Sequence, residues 1–364
     1  MSTAEPDEQS DSAERAFVRL PRRTQIGRLR RLAGVALAGY DLPPARLTLL
    51  AHLFNTTFRV DTAGGERYML RIHRAGRATP DGVGAEMAWL AALRRDTSLE
   101  VPAPVPVRTG ALLTVAATPG VPRPHLCVLF RWLPGRLRRH GLTPRHLERV
   151  GEIMAALQNH ALRWERPPGF VRGRVDGPNA AAGRRSDPFA PDILAAVEAL
   201  VTDTLSAAEA APVMAVLARA QAVEQALAEE PGTFGLIHAD LHYGNLLFAG
   251  DTVRAIDFDD CGFGPLLYDP AVMLSALLDW PEYPALRAGL LAGYRRVRPL
   301  SAAHEALLDT FIALRQVQDA VWRLEWREYP PLGADWAAEA RQALTPVATL
   351  LAGGPAAPGG SRLG

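Results

Sequence analysis

The dominant hydrophobic period changes partway along this chain, and that change limits the available folds more than any single motif. Up to Phe130 the apolar residues mostly form short strand-like runs, and beyond Leu133-Pro134-Gly135 they mostly recur at helical spacing. Thr48-Leu49-Leu50 and Thr57-Phe58-Arg59-Val60 precede a turn at Ala63-Gly64-Gly65. Arg67–Ile72 then alternates, with Tyr68, Leu70 and Ile72 on one face and Met69 and Arg71 on the other. A helix is predicted over Gly84–Arg95, its buried side marked by Leu90 and Leu93. Val101–Pro106 alternates with proline and reads as an extended connector. Strands over Ala111–Ala116 and His125–Phe130 complete a β-rich first part.

Helices are predicted afterwards. In Pro144–Ala161 the residues Leu147, Val150, Gly151, Met154 and Leu157 make an apolar stripe. Arg163–Pro191, rich in Pro, Gly and Arg, reads as a surface excursion. Helices over Asp192–Leu205 and Val213–Glu229 follow, then one β-hairpin, then helices from Pro270 to about Leu351. The fold class expected is α+β: a small β-rich lobe before a larger helical one. The arginine run from Arg15 to Arg31 reads as a solvated helix face.

Composition removes several classes of function. The chain has 364 residues with 40 basic and 39 acidic side chains, a net charge of +1, which argues against nucleic acid as a partner. Two cysteines, Cys127 and Cys261, make no disulfide framework and no structural zinc site, so a reducing compartment fits. Cys261 reads as a packing residue. The acidic start resembles no leader, and the uncharged stretch Ala343–Ser361 is broken by Pro346, Pro355 and Pro358, so no membrane span is expected. A cytoplasmic protein is the expectation. No lysine occurs anywhere, so none binds phosphate or forms a Schiff base.

Chemistry concentrates in His238-Ala-Asp240-Leu-His242-Tyr-Gly-Asn245 and in Ile256-Asp257-Phe258-Asp259-Asp260. Leu246–Phe248 and Val253–Ile256 are apolar strands joined by a Gly-containing turn, so they form a hairpin. The hairpin brings Asn245 and Asp257 to one end, with Asp240 on the loop just before. Mg²⁺ takes hard oxygen ligands from one or two carboxylates and from phosphates, and an amide oxygen completes such a shell. A further carboxylate accepts the proton of an incoming hydroxyl during phosphoryl transfer. Asp240 is the candidate base, and Asn245 and Asp257 are candidate metal ligands. Asp259, two residues on, is either a further ligand or a solvated carboxylate. His242 reads as a loop histidine without a role.

His238-x-Asp240-x4-Asn245 followed by Ile256-Asp257-Phe258 resembles the catalytic and metal motifs of the aminoglycoside phosphotransferase and choline kinase-like family, which shares the protein kinase-like fold. Leu53–Val60 resembles that family's phosphate-covering hairpin, Arg67–Ile72 its third strand, and Glu86–Leu93 its first helix. Tyr268-Asp269-Pro270-Ala271 resembles the segment after the metal aspartate, and Asp269 reads as a brace for the catalytic loop. The likeness runs in order over residues 45 to 330. It implies a bilobal α+β fold: a disordered tail at 1–22, a nucleotide-binding N-lobe at 23–132, a catalytic C-lobe at 133–352, and a flexible tail at 353–364. It implies ATP and Mg²⁺ as cofactors and a small-molecule hydroxyl as acceptor. A bacterial stress-response Ser/Thr protein kinase and a non-catalytic nucleotide-binding regulator are the alternatives.

Two positions bend the family pattern. Many members carry a lysine on the third strand, paired with a glutamate, to hold the α- and β-phosphates. Arg71 stands there, with Glu86 on the buried side of the next helix as its expected partner. Arginine keeps the charge and adds a bidentate fork on a longer, planar group. Met69, on the same face, would contribute to the adenine roof. Asn55, Thr56 and Thr57 form a phosphate-covering turn without glycine, where amides and hydroxyls remain available. Phe130–Leu133 marks the expected hinge. The acceptor is left unassigned. Asp260, Asp279, Glu282, Asp319, Glu325 and Glu328 are candidate acids, offset by Arg315, Arg323 and Arg327, and Trp322 and Trp326 read as core.

Overall fold

A computed structural model describes residues 13–14, 16–43, 45–53, 55–76, 78–175, 191–325 and 335–351. Trp326, Arg327, Glu328 and the expected C-terminal tail lie outside them. The chain divides into two compact units. Residues 1–91 and 102–133 form the first, and 92–101 with 134–364 form the second.

The first unit opens with α1 (Arg22–Leu37), which buries Leu29, Leu32, Ala33 and Ala36 and leaves most of its arginines outward. Part of the tail expected to residue 22 takes regular structure. Residues 16–18 are helical, and Phe17 is buried in the core that α1 helps to form. An antiparallel sheet follows: β1 (Ala45–His52), β2 (Thr56–Thr62) and β3 (Arg67–Ile72). The helix α2 (Pro80–Asp96) then leads to β4 (Pro104–Val105), β5 (Thr114–Ala116) and β6 (His125–Arg131). The sheet order is β1-β2-β3-β6-β4, with β5 also on β6. Part of the expected connector therefore pairs: Pro104 and Val105 lie against Phe130 and Leu129, at an edge where proline's missing donor is tolerated. Phe58, Val60, Leu70, Ile72 and Leu129 share one core with α1. That core is apolar burial on one sheet face, as the alternation required.

In the second unit, Arg254 clamps Glu100 in a bidentate pair at 2.8 and 2.9 Å, which ties residues 92–101 to its hairpin. After β7 (Arg136–Leu137) comes α3 (Pro144–Arg163), which starts on a Thr143 capping box with proline at its first position. Its whole expected stripe is buried. Then come α4 (Pro191–Thr204) and α5 (Ala207–Glu229). The latter begins six residues before the expected start, because the Ser206–Glu209 capping box initiates it despite Pro212. Two small sheets, not one hairpin, interrupt the helices. β8 (Phe234–Ile237) pairs with β11 (Gly262–Pro265), and β9 (Leu246–Ala249) pairs with both β10 (Thr252–Ala255) and β7. The remaining helices are α6 (Tyr268–Ser275), α7 (Tyr283–Val297), α8 (Ala302–Ala306), α9 (Leu308–Glu325), α10 (Trp336–Leu344) and α11 (Val347–Leu351). No helix among the described residues is long and apolar enough to cross a membrane.

Candidate active site

The candidate residues fall into both units, and each group is built within its own. In the first, β2 and β3 pair with Thr57 opposite Arg71 and Arg59 opposite Met69. Strand alternation puts Met69 and Arg71 on the face opposite Tyr68, Leu70 and Ile72. Arg71 and Glu86 form an ion pair whose side chains are only 2% and 1% exposed, so the pair is buried and not a surface contact. The Arg71 guanidinium also lies 5.1 Å from the Phe130 ring centroid. Asn55 sits half-buried at the turn before β2. Thr56 departs from expectation: it shares the buried face with Phe58 and Val60, and its hydroxyl is bonded to His52 at 2.8 Å. Period two assigns Thr56 and Thr57 to opposite faces, so only Thr57 lies on the Arg71 side.

In the second unit β8 runs directly into the catalytic loop. Asp269, in the first turn of α6 and fully buried, accepts from the backbone N–H of His238 at 3.2 Å and of Ala239 at 2.8 Å. Burial raises the Asp269 carboxyl above its ordinary range, against the lowering effect of His238 and those two N–H donors. Ala239 has φ +69°, a left-handed conformation uncommon for a residue with a Cβ, and the Asp269 bond holds it there. Asp269 is thus the brace that the sequence suggested. Gln158 on α3 donates to Leu266 O at 2.8 Å, while Tyr294 on α7 donates to Gln158 at 2.6 Å.

His238 accepts from the Asp240 N–H at Nδ1 (3.3 Å) and donates from Nε2 to Ile256 O (3.0 Å), a neutral tautomer. Burial lowers its pKa, in keeping with that state. It links the loop to the far strand of the hairpin. His242, without an assigned role from sequence, caps the short 3₁₀ turn Tyr243–Asn245 by accepting from the Gly244 N–H at 3.0 Å. A Cβ on Gly244 would lie 2.5 Å from the His242 ring, so that turn needs glycine.

Asn245 spends its amide hydrogens on Asp240, at 2.9 Å to the backbone oxygen and 2.8 Å to Oδ2. Its own amide oxygen therefore turns away from Asp240. The Ile256 N–H donates to Asn245 O at 3.0 Å, so Asp257 follows directly beside Asn245 as the hairpin predicts. Asp257 has φ +65°, a conformation that aspartate tolerates better than most residues. Asp259 is half-buried, and its backbone oxygen, like that of Cys261, accepts from Arg172. No group of three or more His, Cys, Asp or Glu side chains among the described residues is arranged to hold a metal ion by itself. An amide oxygen and an adjacent carboxylate are hard donors that suit Mg²⁺, which draws further ligands from phosphate and water.

Arg315 on α9 is the site residue that sequence reasoning missed, having counted it only against an acidic pocket. It donates to Asp240 Oδ1 at 2.8 Å and pairs through Nε with Asp319 at 3.2 Å. The His242 ring lies 3.5 Å from Asp240 Oδ2. Burial alone would raise the Asp240 carboxyl, but His242 and Arg315 overcome it and hold the group well below the usual carboxylate range. Only the 75-residue separation from Asp240 hid Arg315.

A β-rich first unit, a helical second unit and an Asp–Asn–Asp set on a loop and hairpin define a kinase-like phosphotransferase. Residues 47–308 match the model of the phosphotransferase enzyme family. An uncharacterized protein of Deinococcus radiodurans is 33% identical over 300 residues, covering 80% of this chain and 79% of its own. The homoserine kinase of Gluconacetobacter diazotrophicus is 29% identical over 336 residues, 88% of each chain. The solved structure of a microcompartment-associated aminopropanol kinase superposes with a TM-score of 0.75 at 30% identity, covering 90% of this chain and 99% of that one. The chain belongs to the phosphotransferase enzyme family, and it is a kinase with an alcohol group as acceptor.

Proposed function

We propose that this kinase moves the γ-phosphoryl group of ATP to a hydroxyl of a small molecule, with Asp240 as general base. The observation that carries the reading is the contact of Asp240 with Asn245, which the hairpin places beside Asp257. Asp240 would orient the acceptor hydroxyl and take its proton as the new O–P bond forms and the bond from the γ-phosphorus to the bridging oxygen breaks, ADP leaving with that electron pair. Asn245 and Asp257 would hold Mg²⁺, with Asp259 as a further ligand. When bound, the ion would neutralise charge on the phosphate oxygens. Arg71, fixed by Glu86, would take the lysine's role toward the nucleotide phosphates, with Met69 against the base and Asn55 and Thr57 toward the phosphates. The homoserine and aminopropanol kinases among its relatives make small hydroxyl compounds bearing an amine the first acceptors to try.

Labelled ATP with Mg²⁺, offered to the purified protein with such acceptors, tests this. Transfer of label that disappears in Asp240→Asn supports the reading. Label transfer unaffected by that substitution refutes it.

A further inference from the structure

Both carboxylate oxygens of Asp240 are engaged by neighbouring side chains. Oδ2 takes the Asn245 amide at 2.8 Å, and Oδ1 takes Arg315 Nη2 at 2.8 Å. The two donors come from different elements, the hairpin entrance and α9. A donor fixed on each oxygen sets the plane of the carboxylate, and with the His242 ring 3.5 Å from Oδ2, Oδ1 keeps a second lone pair for an incoming hydroxyl. Arg315 is itself restrained. Asp319, one turn along α9, takes its Nε at 3.2 Å. Around Arg315 the helix is packed through Leu314, Val317 and Gln318.

Arg315 and Asp240 are both half-buried, 22% and 21% exposed, so the contact lies at the edge of the site and holds both side chains in place there. We infer that Arg315, anchored by Asp319, is a positioning residue: it fixes the orientation of the Asp240 carboxylate toward the acceptor. The inference rests on Asp240 being the base. Arg315 acts through Asp240, and Asp319 acts through Arg315.

ADP formation is the readout, with homoserine and aminopropanol as acceptors, or water where neither turns over. Arg315→Met is expected to lower kcat about 100-fold, the cost of a misplaced reacting group, with the KM for ATP within about twofold of wild type. Arg315→Lys regains about tenfold of that loss, since it restores the charge without the fork. Asp319→Asn loses about tenfold, and the double variant Arg315→Met/Asp319→Asn is no slower than Arg315→Met alone, because the two act in series. A general weakening of the fold would move the melting temperature, but it would not give that split or that non-additivity. Should Arg315→Met fail to fold, Arg315→Lys and Asp319→Asn carry the same test. Wild-type kcat in Arg315→Met, or additive losses in the double variant, would overturn the assignment. Asp240→Asn separates the two claims. If it is dead while Arg315→Met is fully active, the positioning role fails alone. If it is fully active, the base assignment fails and the positioning role with it.

Discussion

Arg71 and Glu86 show what a single position can carry. The family resemblance suggested the pairing, and strand and helix periodicity supplied the facing, because each residue lies in a regular element whose orientation is set by its apolar neighbours. Both are buried, so removing one leaves an uncompensated charge in the interior. Arg71→Met is expected to cost about 3 kcal/mol in urea unfolding and to raise the KM for ATP, whereas an exposed pair would cost well under 1 kcal/mol. Asp240 and Asn245 were legible for a similar reason, five residues apart in one motif. Thr56, read with Asn55 and Thr57 as one phosphate-covering turn, instead begins the buried face of β2 with Phe58 and Val60, and a turn reading gives no signal of that facing. The left-handed conformations of Ala239 and Asp257 were invisible too, since neither residue advertises a positive φ.

At the scale of elements, long helices with a marked stripe were the most readable, and α3 is the example. The sheet of β8 and β11 was missed. Gly262-Phe-Gly-Pro265 offers no alternation to read, and its pairing with Phe234–Ile237 is made across 25 residues. Helix contacts were equally hidden. A Cβ on Gly151 would lie 2.1 Å from Leu290 O, and one on Gly293 would lie 1.8 Å from Glu148 O, so α3 and α7 meet at backbone distance. Gly293→Ala must push the two helices apart, and about 3 kcal/mol of lost stability is expected by denaturant titration. A loss below about 0.5 kcal/mol, the size of an ordinary surface change, would contradict this close approach. The same helices carry Gln158 and Tyr294, so their separation also loosens the residues that support the catalytic loop.

Across the whole molecule, titration and thiol chemistry follow from burial. His238, His52 and His146 all have pKa values lowered first by burial, so the unfolded chain binds their protons more readily than the folded one. Stability from these groups is complete above the unfolded value of about 6.5 and is lost as pH falls below it. Melting temperature is expected to drop between pH 7.5 and pH 5, ahead of the loss from carboxylates such as Asp251 and Glu152, whose lowered pKa values matter only in more acid solution. A melting temperature that rises over that interval would contradict the neutral His238. Burial pushes the Cys127 thiol up to about 12, and Cys261 is also buried. Neither is expected to react with iodoacetamide in the native protein, while both react in guanidinium; mass spectrometry reads the difference. The two-part plan was visible in the sequence through the change of hydrophobic period, whereas Arg315 could emerge only from the folded helical unit. The central claim is that Asp240 is the base of a hydroxyl kinase, and the direct test is label transfer from ATP by wild type beside Asp240→Asn. Asp240→Asn is expected to lower kcat about 10²- to 10⁴-fold with ATP binding retained. Undiminished transfer by Asp240→Asn would contradict it.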